Sequence, residues 1–214
     1  MNLLCLDSST KIFSLAVSSG AKILAYRNIK LKKVLSSSII PAIKRILGKA
    51  GLKLSDIDGF AVGLGPGSFT GLRVGLATIK GLAIAMNKPI VGVSSLDILA
   101  IGVPRDNEKI CVVCDARRGL VYSCLFEKKN GKLLRKSKYR LTTLQDVLDT
   151  IKGKTIFVGD VADQIKPAGL NAYSQARYLA LLAWDRFQKK QLCSLEKLTP
   201  LYLYPADCQV RKNG

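Results

Sequence analysis

Residues 63–75 read Gly63-Leu64-Gly65-Pro66-Gly67-Ser68-Phe69-Thr70-Gly71-Leu72-Arg73-Val74-Gly75. This run joins a short apolar strand to an almost entirely apolar helix, and only a glycine-rich segment makes so tight a turn. It either presents the free N–H groups of a helix N-terminus to a ligand or partner, or forms a plain turn capped by Ser68 or Thr70. No Gly-Lys-Ser/Thr follows at P-loop spacing, and Thr70 replaces the third glycine of a dinucleotide-binding loop, so both of these phosphate loops are excluded.

The glycine run lies within a regular pattern of strands and helices. Period-two and period-3.6 spacing of apolar residues predicts a three-stranded antiparallel start, followed by alternating helices and strands. Pro41 either kinks the first helix or moves its start towards Ser38. The predicted strands are residues 3–6, 13–17, 23–28, 60–64 and 90–93, and the predicted helices are residues 34–50 and 69–86.

The second half of the chain repeats the beginning. A strand, an acidic turn and a strand over residues 110–123 match the N-terminal unit, and Asp115 corresponds to Asp7. Such a repeat predicts two copies of one fold unit, with a hinge near residues 103–107. The second copy continues with a strand region at residues 133–141, a helix at 143–151, a strand at 156–158 and a helix at 174–189.

Composition narrows the functional classes. The chain has 214 residues, 48% of them hydrophobic, which suffices for one large core or two small ones. The sequence predicts neither a signal peptide nor a membrane span, so we expect a cytoplasmic protein. It contains no histidine, which removes the usual general base and the usual zinc ligand.

Two cysteines have a spacing that also occurs in zinc sites and redox pairs. Cys111 and Cys114 are three residues apart, as in half a zinc site or a redox pair. They lie in a strand-like apolar run, where residues of odd separation point to opposite faces of the sheet. We therefore expect both thiols to pack in the core.

The chain is strongly basic. It has 34 Lys and Arg residues against 15 Asp and Glu residues, a formal net charge of +19. Such a charge attracts polyanions, tRNA included, but a general preference for lysine explains it equally well, because the charge is spread along the chain. The local concentrations are Lys30, Lys32 and Lys33, residues 128–138, and Arg211 with Lys212.

The glycine run and several other segments resemble those of the TsaB (YeaZ) family, the dimerisation subunit of the bacterial machinery that makes threonylcarbamoyladenosine in tRNA. The other matching segments are residues 4–10, 92–96, 115–122 and 200–203, in family order. The resemblance implies a duplicated ribonuclease-H-like α/β fold, as in actin, Hsp70 and sugar kinases. Mixed sheets with flanking helices would form an N-terminal lobe, residues 1–103, and a C-terminal lobe, residues 104–214.

The resemblance also implies that the nucleotide-binding turns of this superfold are degenerate here. Active members place an Asp-containing, glycine-rich turn on each side of the nucleotide, with a double-glycine turn against the adenosine. Asp7 and Asp115 are either a remaining carboxylate pair for acid–base or Mg²⁺ chemistry or ordinary turn residues, and the missing glycines favour the second interpretation. The degenerate positions are Asp7, Thr10, Asp115, Gly119 and Gly159.

No catalytic residue, metal site or cofactor is expected. The catalytic paralogue implied by the resemblance holds a metal through two histidines on its first helix, where this chain has Leu35, Ser38 and Ile39. Arg117 and Arg118, in the second turn, either contact phosphate or RNA or form a solvated turn.

The helix at residues 69–86 has apolar residues on two faces. One face serves the core, and the other, lined by glycines, either binds a second protein or is covered by the same domain. We predict a partner surface on this helix and the one before it. Its predicted residues are Ile39, Ile43, Gly67, Phe69, Gly71, Leu72, Arg73, Gly75, Leu76, Thr78 and Ile79.

These observations favour a non-catalytic subunit. The resemblance implies that it pairs with a catalytic paralogue for threonylcarbamoyl transfer to the tRNA adenosine 3′ of the anticodon, with an ATPase subunit as a further partner. A homodimer is the form expected of the isolated chain, and tRNA contact is expected to be indirect or weak. The alternative is an active ATPase or kinase-like enzyme of the same superfold.

Overall fold

The computed structural model describes residues 1–30, 35–165 and 169–204. Its strands are β1 (Asn2–Asp7), β2 (Ile12–Ser19), β3 (Lys22–Lys30), β4 (Gly59–Gly63), β5 (Ile90–Val93), β6 (Glu108–Arg117), β7 (Leu120–Lys129), β8 (Lys132–Arg135), β9 (Arg140–Thr143), β10 (Ile156–Gly159) and β11 (Gly169–Asn171). Its helices are α1 (Leu35–Lys49), α2 (Phe69–Ala85), α3 (Ser95–Ile101), α4 (Leu144–Thr150) and α5 (Ala176–Gln188), with 3-10 turns at Leu54–Asp56 and Ala162–Gln164.

The two sheets have the same topology. The first has the strand order β3-β2-β1-β4-β5, and the second has the order β8-β7-β6-β10-β11, with β9 also paired to β7. In each sheet the first three strands of the unit are antiparallel and the last two are parallel to the first. The predicted internal repeat and the duplicated ribonuclease-H-like fold are confirmed.

The first sheet is covered on both faces. Leu4 and Leu6 of β1 pack in a cluster with α1 and α2, while Leu3 and Cys5 pack in a second cluster with α5. Because successive side chains of a strand point to opposite faces, a strand covered on both sides is apolar throughout. This accounts for the buried run at the start of the sequence.

The last helix returns to the first sheet. Leu179, Ala183 and Phe187 of α5 are buried against it, although they follow the whole second sheet in sequence. A division near residue 103 separates the two sheets, but α5 lies in space with the first. Leu96 and Leu99 of α3 pack on the second sheet, so α3 and α5 lie between the sheets.

Most predicted elements are confirmed within a few residues, and the differences have local causes. α1 begins at Leu35 and continues through Pro41, so the start near Ser38 is wrong; residue 34 lies outside the described residues. The region 133–141 forms two strands rather than one. Two elements have no counterpart in the prediction, α3 with seven residues and β11 with three, because elements so short show little periodicity.

The cysteine prediction is confirmed. Cys111 packs on the face of the second sheet that carries α4, and Cys114 packs on the opposite face. Burial raises the pKa of the Cys111 thiol to about 12. Of the helices in the described ranges, none has the length and apolar character needed to cross a bilayer.

Candidate functional site

The glycine run is a turn packed tightly on its own chain. Ser68 caps α2, its hydroxyl accepting a 3.3 Å hydrogen bond from the N–H of Gly71. The N–H of Ser68 donates a 2.7 Å hydrogen bond to the carbonyl oxygen of Ser9, in the turn between β1 and β2. A Cβ atom added at Gly67 would overlap that same carbonyl. The glycines therefore allow the β1–β2 turn to rest on the start of α2.

The same contact continues along α2. A Cβ at Gly71 would overlap the carbonyl oxygen of Ser8, and a Cβ at Gly75 would overlap its hydroxyl. The Ser8 hydroxyl donates a 2.8 Å hydrogen bond to the carbonyl oxygen of Gly71. Gly71 and Gly75 thus contact the β1–β2 turn of their own domain, and their place on a partner surface stays a prediction.

Asp7, at the end of β1, is sealed inside the protein. Its side chain is fully buried. One carboxyl oxygen accepts hydrogen bonds from the N–H and the hydroxyl of Ser9, at 2.9 and 2.6 Å. The other accepts from the hydroxyls of Ser95 and Ser174, at 2.7 and 2.8 Å. All four donors are neutral groups of the chain, so both oxygens are already used and the carboxyl group is not open to a nucleotide or Mg²⁺.

Two further features complete the first turn. A Cβ at Gly63, which ends β4, would overlap the carboxyl group of Asp7, so only glycine leaves space for the sealed carboxyl. The Thr10 hydroxyl donates to the carbonyl oxygen of Ile12 and accepts from its N–H, at 3.0 and 3.1 Å. Thr10 therefore stabilises its own turn.

The second turn, between β6 and β7, has three successive residues with positive φ angles. Arg117, Arg118 and Gly119 have φ angles of 69, 56 and 73°, a region that favours glycine and is uncommon for arginine. The Asp115 carboxyl group accepts a 2.7 Å hydrogen bond from the N–H of Arg117 and lies 3.3 Å from its guanidinium. The Tyr204 hydroxyl donates to the carbonyl oxygen of Ala116 at 2.7 Å. Asp115 and Arg117 thus bind each other across the turn.

Gly159, the last of the predicted degenerate positions, packs directly on the neighbouring strand β6. Gly159 has a φ of 144°, and a Cβ there would overlap the carbonyl oxygen of Val113 on the neighbouring strand. The next residue, Asp160, accepts a 2.9 Å hydrogen bond from the N–H of Asp115. Burial, and secondarily the charge of Asp115, raises the pKa of Asp160. The structure brings Asp115, Gly119 and Gly159 to one region but leaves no free glycine pair.

The predicted partner residues divide into three groups. Ile39, Ile43, Leu72, Gly75, Leu76 and Ile79 are buried in the core of the first lobe. The β1–β2 turn and the first sheet cover these residues, so little of their surface is open to a partner in this structure. Gly67, Gly71 and Thr78 are half-buried. Phe69 and Arg73 are exposed.

The outward face of α2 shares only Arg73 with the predicted partner residues. Thr70, Arg73, Ala77, Gly81 and Ile84, spaced three or four residues apart, are all exposed. Ile84 is 63% exposed, and a Cβ at Gly81 would meet nothing within 4 Å. We call these five residues the α2 outward face. Their spacing was visible in the sequence.

At one end of this face, three side chains form a cluster. The guanidinium of Arg73 lies 3.7 Å from the centre of the Phe69 ring, and its Nε donates a 3.0 Å hydrogen bond to the Tyr202 hydroxyl. The two rings are 5.4 Å apart. Phe69 and Tyr202 remain 54% and 44% exposed. Tyr202 was missed as a surface residue because it lies 129 residues from Arg73 in sequence.

Comparison with known proteins identifies the family. The model of the TsaD family, described as tRNA N6-adenosine threonylcarbamoyltransferase, matches residues 30–192. The tRNA threonylcarbamoyladenosine biosynthesis protein TsaB of Bacillus subtilis is 33% identical over 162 residues, 74% of this chain and 71% of that protein. The chain belongs to the TsaB branch of this family. YeaZ from Pseudomonas aeruginosa has a TM-score of 0.82 at 26% identity, covering 94% of this chain and 99% of its own.

A protein solved with a bound nucleotide analogue shares the fold of the present chain. The activator of the 2-hydroxyisocaproyl-CoA dehydratase from Clostridium difficile, solved with ADPNP, has a TM-score of 0.51 and 12% identity. The match covers 94% of this chain and 100% of that protein. The likeness is one of fold alone.

Several basic residues of this TsaB-family chain are already engaged. Lys128 donates to the carbonyl oxygens of Val103, at 2.7 Å, and Ile101, at 3.5 Å. Lys136 pairs with Glu127 at 2.8 Å, whereas Lys129 is exposed. The concentrations at Lys32 and Lys33 and at Arg211 and Lys212 lie outside the described residues.

The residues of α1 that the resemblance compares with metal-binding histidines lie in or beside the first-lobe core. Leu35 and Ile39 are buried in the first-lobe core, and Ser38 is half-buried beside them. Within the ranges that the structure describes, no three His, Cys, Asp or Glu side chains are grouped as a metal site would need.

Proposed function

We propose that this chain is a non-catalytic subunit of cytoplasmic tRNA threonylcarbamoyladenosine synthesis. It pairs with a related catalytic subunit and makes that subunit competent to transfer the threonylcarbamoyl group. The observation that carries the proposal is the sealed carboxyl of Asp7, whose four hydrogen bonds come from Ser9, Ser95 and Ser174. In an enzyme of this superfold, that carboxyl has to reach a metal ion or a nucleotide.

The second turn supports the same conclusion. Transfer to or from a phosphate needs free N–H groups and positive charge directed at its oxygens. Asp115 instead directs a negative charge at the turn and pairs with Arg117 at 3.3 Å. Asp160, next to it, adds a second carboxyl group. The pairing with Asp115 leaves the Arg117 guanidinium less available to an anionic substrate.

The partner surface that we propose is the α2 outward face with the adjoining part of α1. Ala77 and Gly81 are small, so another backbone can approach closely, while Ile84 supplies apolar area. On α1, Ile40 is 44% exposed. A face that combines small residues with exposed isoleucines is typical of helix-to-helix contacts.

The Arg73 cluster is the anchor of this surface. Aromatic residues and arginine dominate binding energy at protein interfaces. The contacts of Arg73 with Phe69 and Tyr202 fix its side chain before binding, so little rotamer freedom is lost when a partner covers it. Two such faces make a homodimer when the catalytic subunit is absent.

The test is reconstitution with the catalytic paralogue and the ATPase subunit of the same cell. We expect this chain to co-elute with the catalytic paralogue, to hydrolyse no ATP by itself, and to be required for tRNA modification by the mixture. ATP turnover by the isolated chain that is abolished by Asp7→Asn would contradict the proposal and favour the kinase-like enzyme. Salt-sensitive tRNA binding by the isolated chain would show that its tRNA contact is direct.

A further inference from the structure

One corner of the second sheet carries four exposed lysines on a single face. Lys109 of β6 lies opposite Glu127 of β7, and Lys129 of β7 lies opposite Lys132 of β8. Residues that are opposite each other in an antiparallel pair, or two apart on one strand, lie on the same face of a sheet. Lys136, which follows β8, reaches the same place through its 2.8 Å ion pair with Glu127. We call Lys109, Lys129, Lys132 and Lys136 the lysine corner.

The lysine corner is on the outer side of the second lobe. Phe126 packs with residues of α3 between the two sheets, so its neighbour Glu127 points to the other face, away from the first lobe. On that outer face α4 packs with Val121, near the start of β7, whereas Leu134, opposite Glu127, is 47% exposed. The α2 outward face is on the far side of the first sheet from α5. The two surfaces therefore lie on opposite sides of the molecule.

The positive charge of the lysine corner is only partly balanced. Of the carboxyl groups in the described ranges, only that of Glu127 lies within 4.0 Å of a lysine of the corner. The hydrogen bond from Lys136, followed by its charge and those of Lys129 and Lys109, lowers the pKa of this carboxyl group. Asp106 is nearby but accepts hydrogen bonds at 3.0 and 3.2 Å from the backbone of the turn between β7 and β8. One carboxyl group therefore serves four lysines.

Two of the lysines repel each other. Lys129 and Lys132 are directly opposite in the β7–β8 pair, a position in which Cβ atoms are about 4.5–5.5 Å apart and like charges destabilise a sheet. Neither ammonium group has an ion pair with a carboxyl group of the residues that the structure describes. An anion bound between the two side chains would relieve this repulsion.

Protection of a sheet edge does not explain the lysine corner. Edge strands often carry lysine, because the charge prevents two sheets from pairing at their edges. This reason applies to Lys132 on the edge strand β8, but the strand order β8-β7-β6-β10-β11 places β7 and β6 inside the sheet. Lys129 and Lys109 therefore protect no edge, and their charge is available for binding.

We propose that the lysine corner binds the phosphate backbone of RNA and is a direct tRNA contact of this subunit, an inference that rests on the proposed function. Lysine binds phosphate as a point charge, and such contacts position RNA without reading its sequence. The paired residues of the corner, with Glu127 and Leu134 between them, include no aromatic side chain on which a base could stack. The contact is therefore with the backbone. It stays accessible when a partner covers the α2 outward face.

The test compares two triple variants of the whole chain by fluorescence anisotropy, with an unmodified tRNA transcript as the probe. Each variant loses three positive charges at exposed positions, so the net charge is matched. The corner variant combines Lys109→Gln, Lys129→Gln and Lys132→Gln. The control combines three substitutions on the first lobe, Lys22→Gln, Lys190→Gln and Lys197→Gln.

The corner variant should bind tRNA about ten-fold more weakly at 0.1 M salt, since each exposed charge contact contributes modestly. The slope of log affinity against log salt concentration should fall by about 1 for each lysine removed. The control should bind like the unaltered chain. An RNA hairpin of unrelated sequence should bind with nearly the same affinity as tRNA and show the same loss. Circular dichroism should show that both variants are folded, because all six positions are on the surface.

Three outcomes would overturn the proposal. They are equal weakening by the corner variant and the control, an unchanged salt slope in the corner variant, and no tRNA binding by the unaltered chain at 50 mM salt. Normal tRNA binding by a corner variant that no longer co-elutes with the catalytic paralogue or the ATPase subunit would assign the corner to an acidic protein surface instead. Failure of the unaltered chain to co-elute contradicts the proposed function, whereas the titration of the isolated chain tests the lysine corner by itself.

Discussion

The hydroxyl of Ser8 donates a 2.8 Å hydrogen bond to the carbonyl oxygen of Gly71, and so fixes the turn after β1 to the first residues of α2. The close approach that this bond marks explains why residues 63–75 contain so many glycines. The β1–β2 turn lies where side chains of α2 would otherwise be, and its backbone contacts the helix backbone directly. The run therefore serves internal packing in the first lobe.

Gly75→Ala should lower the free energy of unfolding by about 1–3 kcal/mol, because the new methyl group overlaps the Ser8 hydroxyl and lies close to Leu6. Gly81→Ala, on the same helix with nothing within 4 Å, is the control and should stabilise by ~0.5–1 kcal/mol through helix propensity. Urea unfolding of both variants measures the difference. Equal effects would show that Gly75 is not packed on Ser8.

Asp7→Ala should lower the free energy of unfolding by at least ~2 kcal/mol, since it leaves the N–H of Ser9 and three serine hydroxyls without their acceptor. Asp7→Asn should cost less, because its amide can donate to the hydroxyls of Ser95 and Ser174. Thermal melts and urea unfolding compare the two. A well-folded Asp7→Ala protein with unchanged stability would remove the structural role that we assign to this carboxyl.

Ile84→Glu should reduce association with the catalytic paralogue by at least ten-fold, because a charge on the α2 outward face has to be desolvated on binding. Leu181→Glu makes the same change at a 39% exposed position of α5, on the opposite side of the first sheet. That control should bind normally. Pull-down with circular dichroism of each variant provides the comparison, and normal binding by folded Ile84→Glu would place the interface elsewhere.

The free energy of unfolding should fall as the pH rises above about 4, because the buried Asp97 carboxyl group then loses its proton. Burial is the main cause that raises its pKa from 3.8, against a hydrogen bond from Tyr139 and the charge of Arg186. A raised folded-state pKa means that the stabilisation is complete below the unfolded pKa and is lost as the pH rises through the folded one.

Asp97→Asn should flatten this part of the stability curve, because the amide keeps an acceptor for the 2.8 Å hydrogen bond from Tyr139 and cannot ionise. Asp149→Asn, at an exposed position of α4, is the control. Urea unfolding between pH 3.5 and pH 7 gives the two curves. An unchanged pH dependence in Asp97→Asn would assign the effect to other groups.

Lys128→Gln should lower the free energy of unfolding by about 1–2 kcal/mol, because it removes the ammonium that binds the carbonyl oxygens of Ile101 and Val103. Lys129→Gln, next to it and exposed, should be nearly neutral. Any weakening of tRNA binding in the assembled complex should come from Lys129 rather than Lys128. The salt dependence of tRNA affinity, measured for both variants, distinguishes a phosphate contact from a folding defect.

The sequence contained enough information for the fold but not for the orientation of α2. The repeated strand, acidic turn and strand predicted both sheets, and Ser68 was a recognisable cap. Helical periodicity shows that α2 has two apolar faces, but it does not show which one the rest of the chain covers. That choice depends on where the β1–β2 turn packs, a contact between residues 63 positions apart.

The hydrogen-bond partners of Asp7 cannot be predicted from the sequence either, because they too are distant along the chain. Its acceptor role was expected from a turn residue, but the two hydroxyls that close the site belong to Ser95 and Ser174, which lie 88 and 167 positions away. Neither serine belongs to a recognisable motif with Asp7. The sequence predicts degenerate turns, and the structure adds that both oxygens of the Asp7 carboxyl group accept hydrogen bonds from its own chain.

The return of α5 to the first sheet sets the order in which the molecule is completed during synthesis. Leu3, Cys5 and Val91 precede the second sheet in the sequence, but Leu179 and Ala183, which cover them, follow it. Until then one face of the first sheet exposes apolar side chains that other chains can bind. The first lobe therefore completes its core only after the second sheet has been synthesised, and a chain truncated before residue 176 should be prone to aggregation.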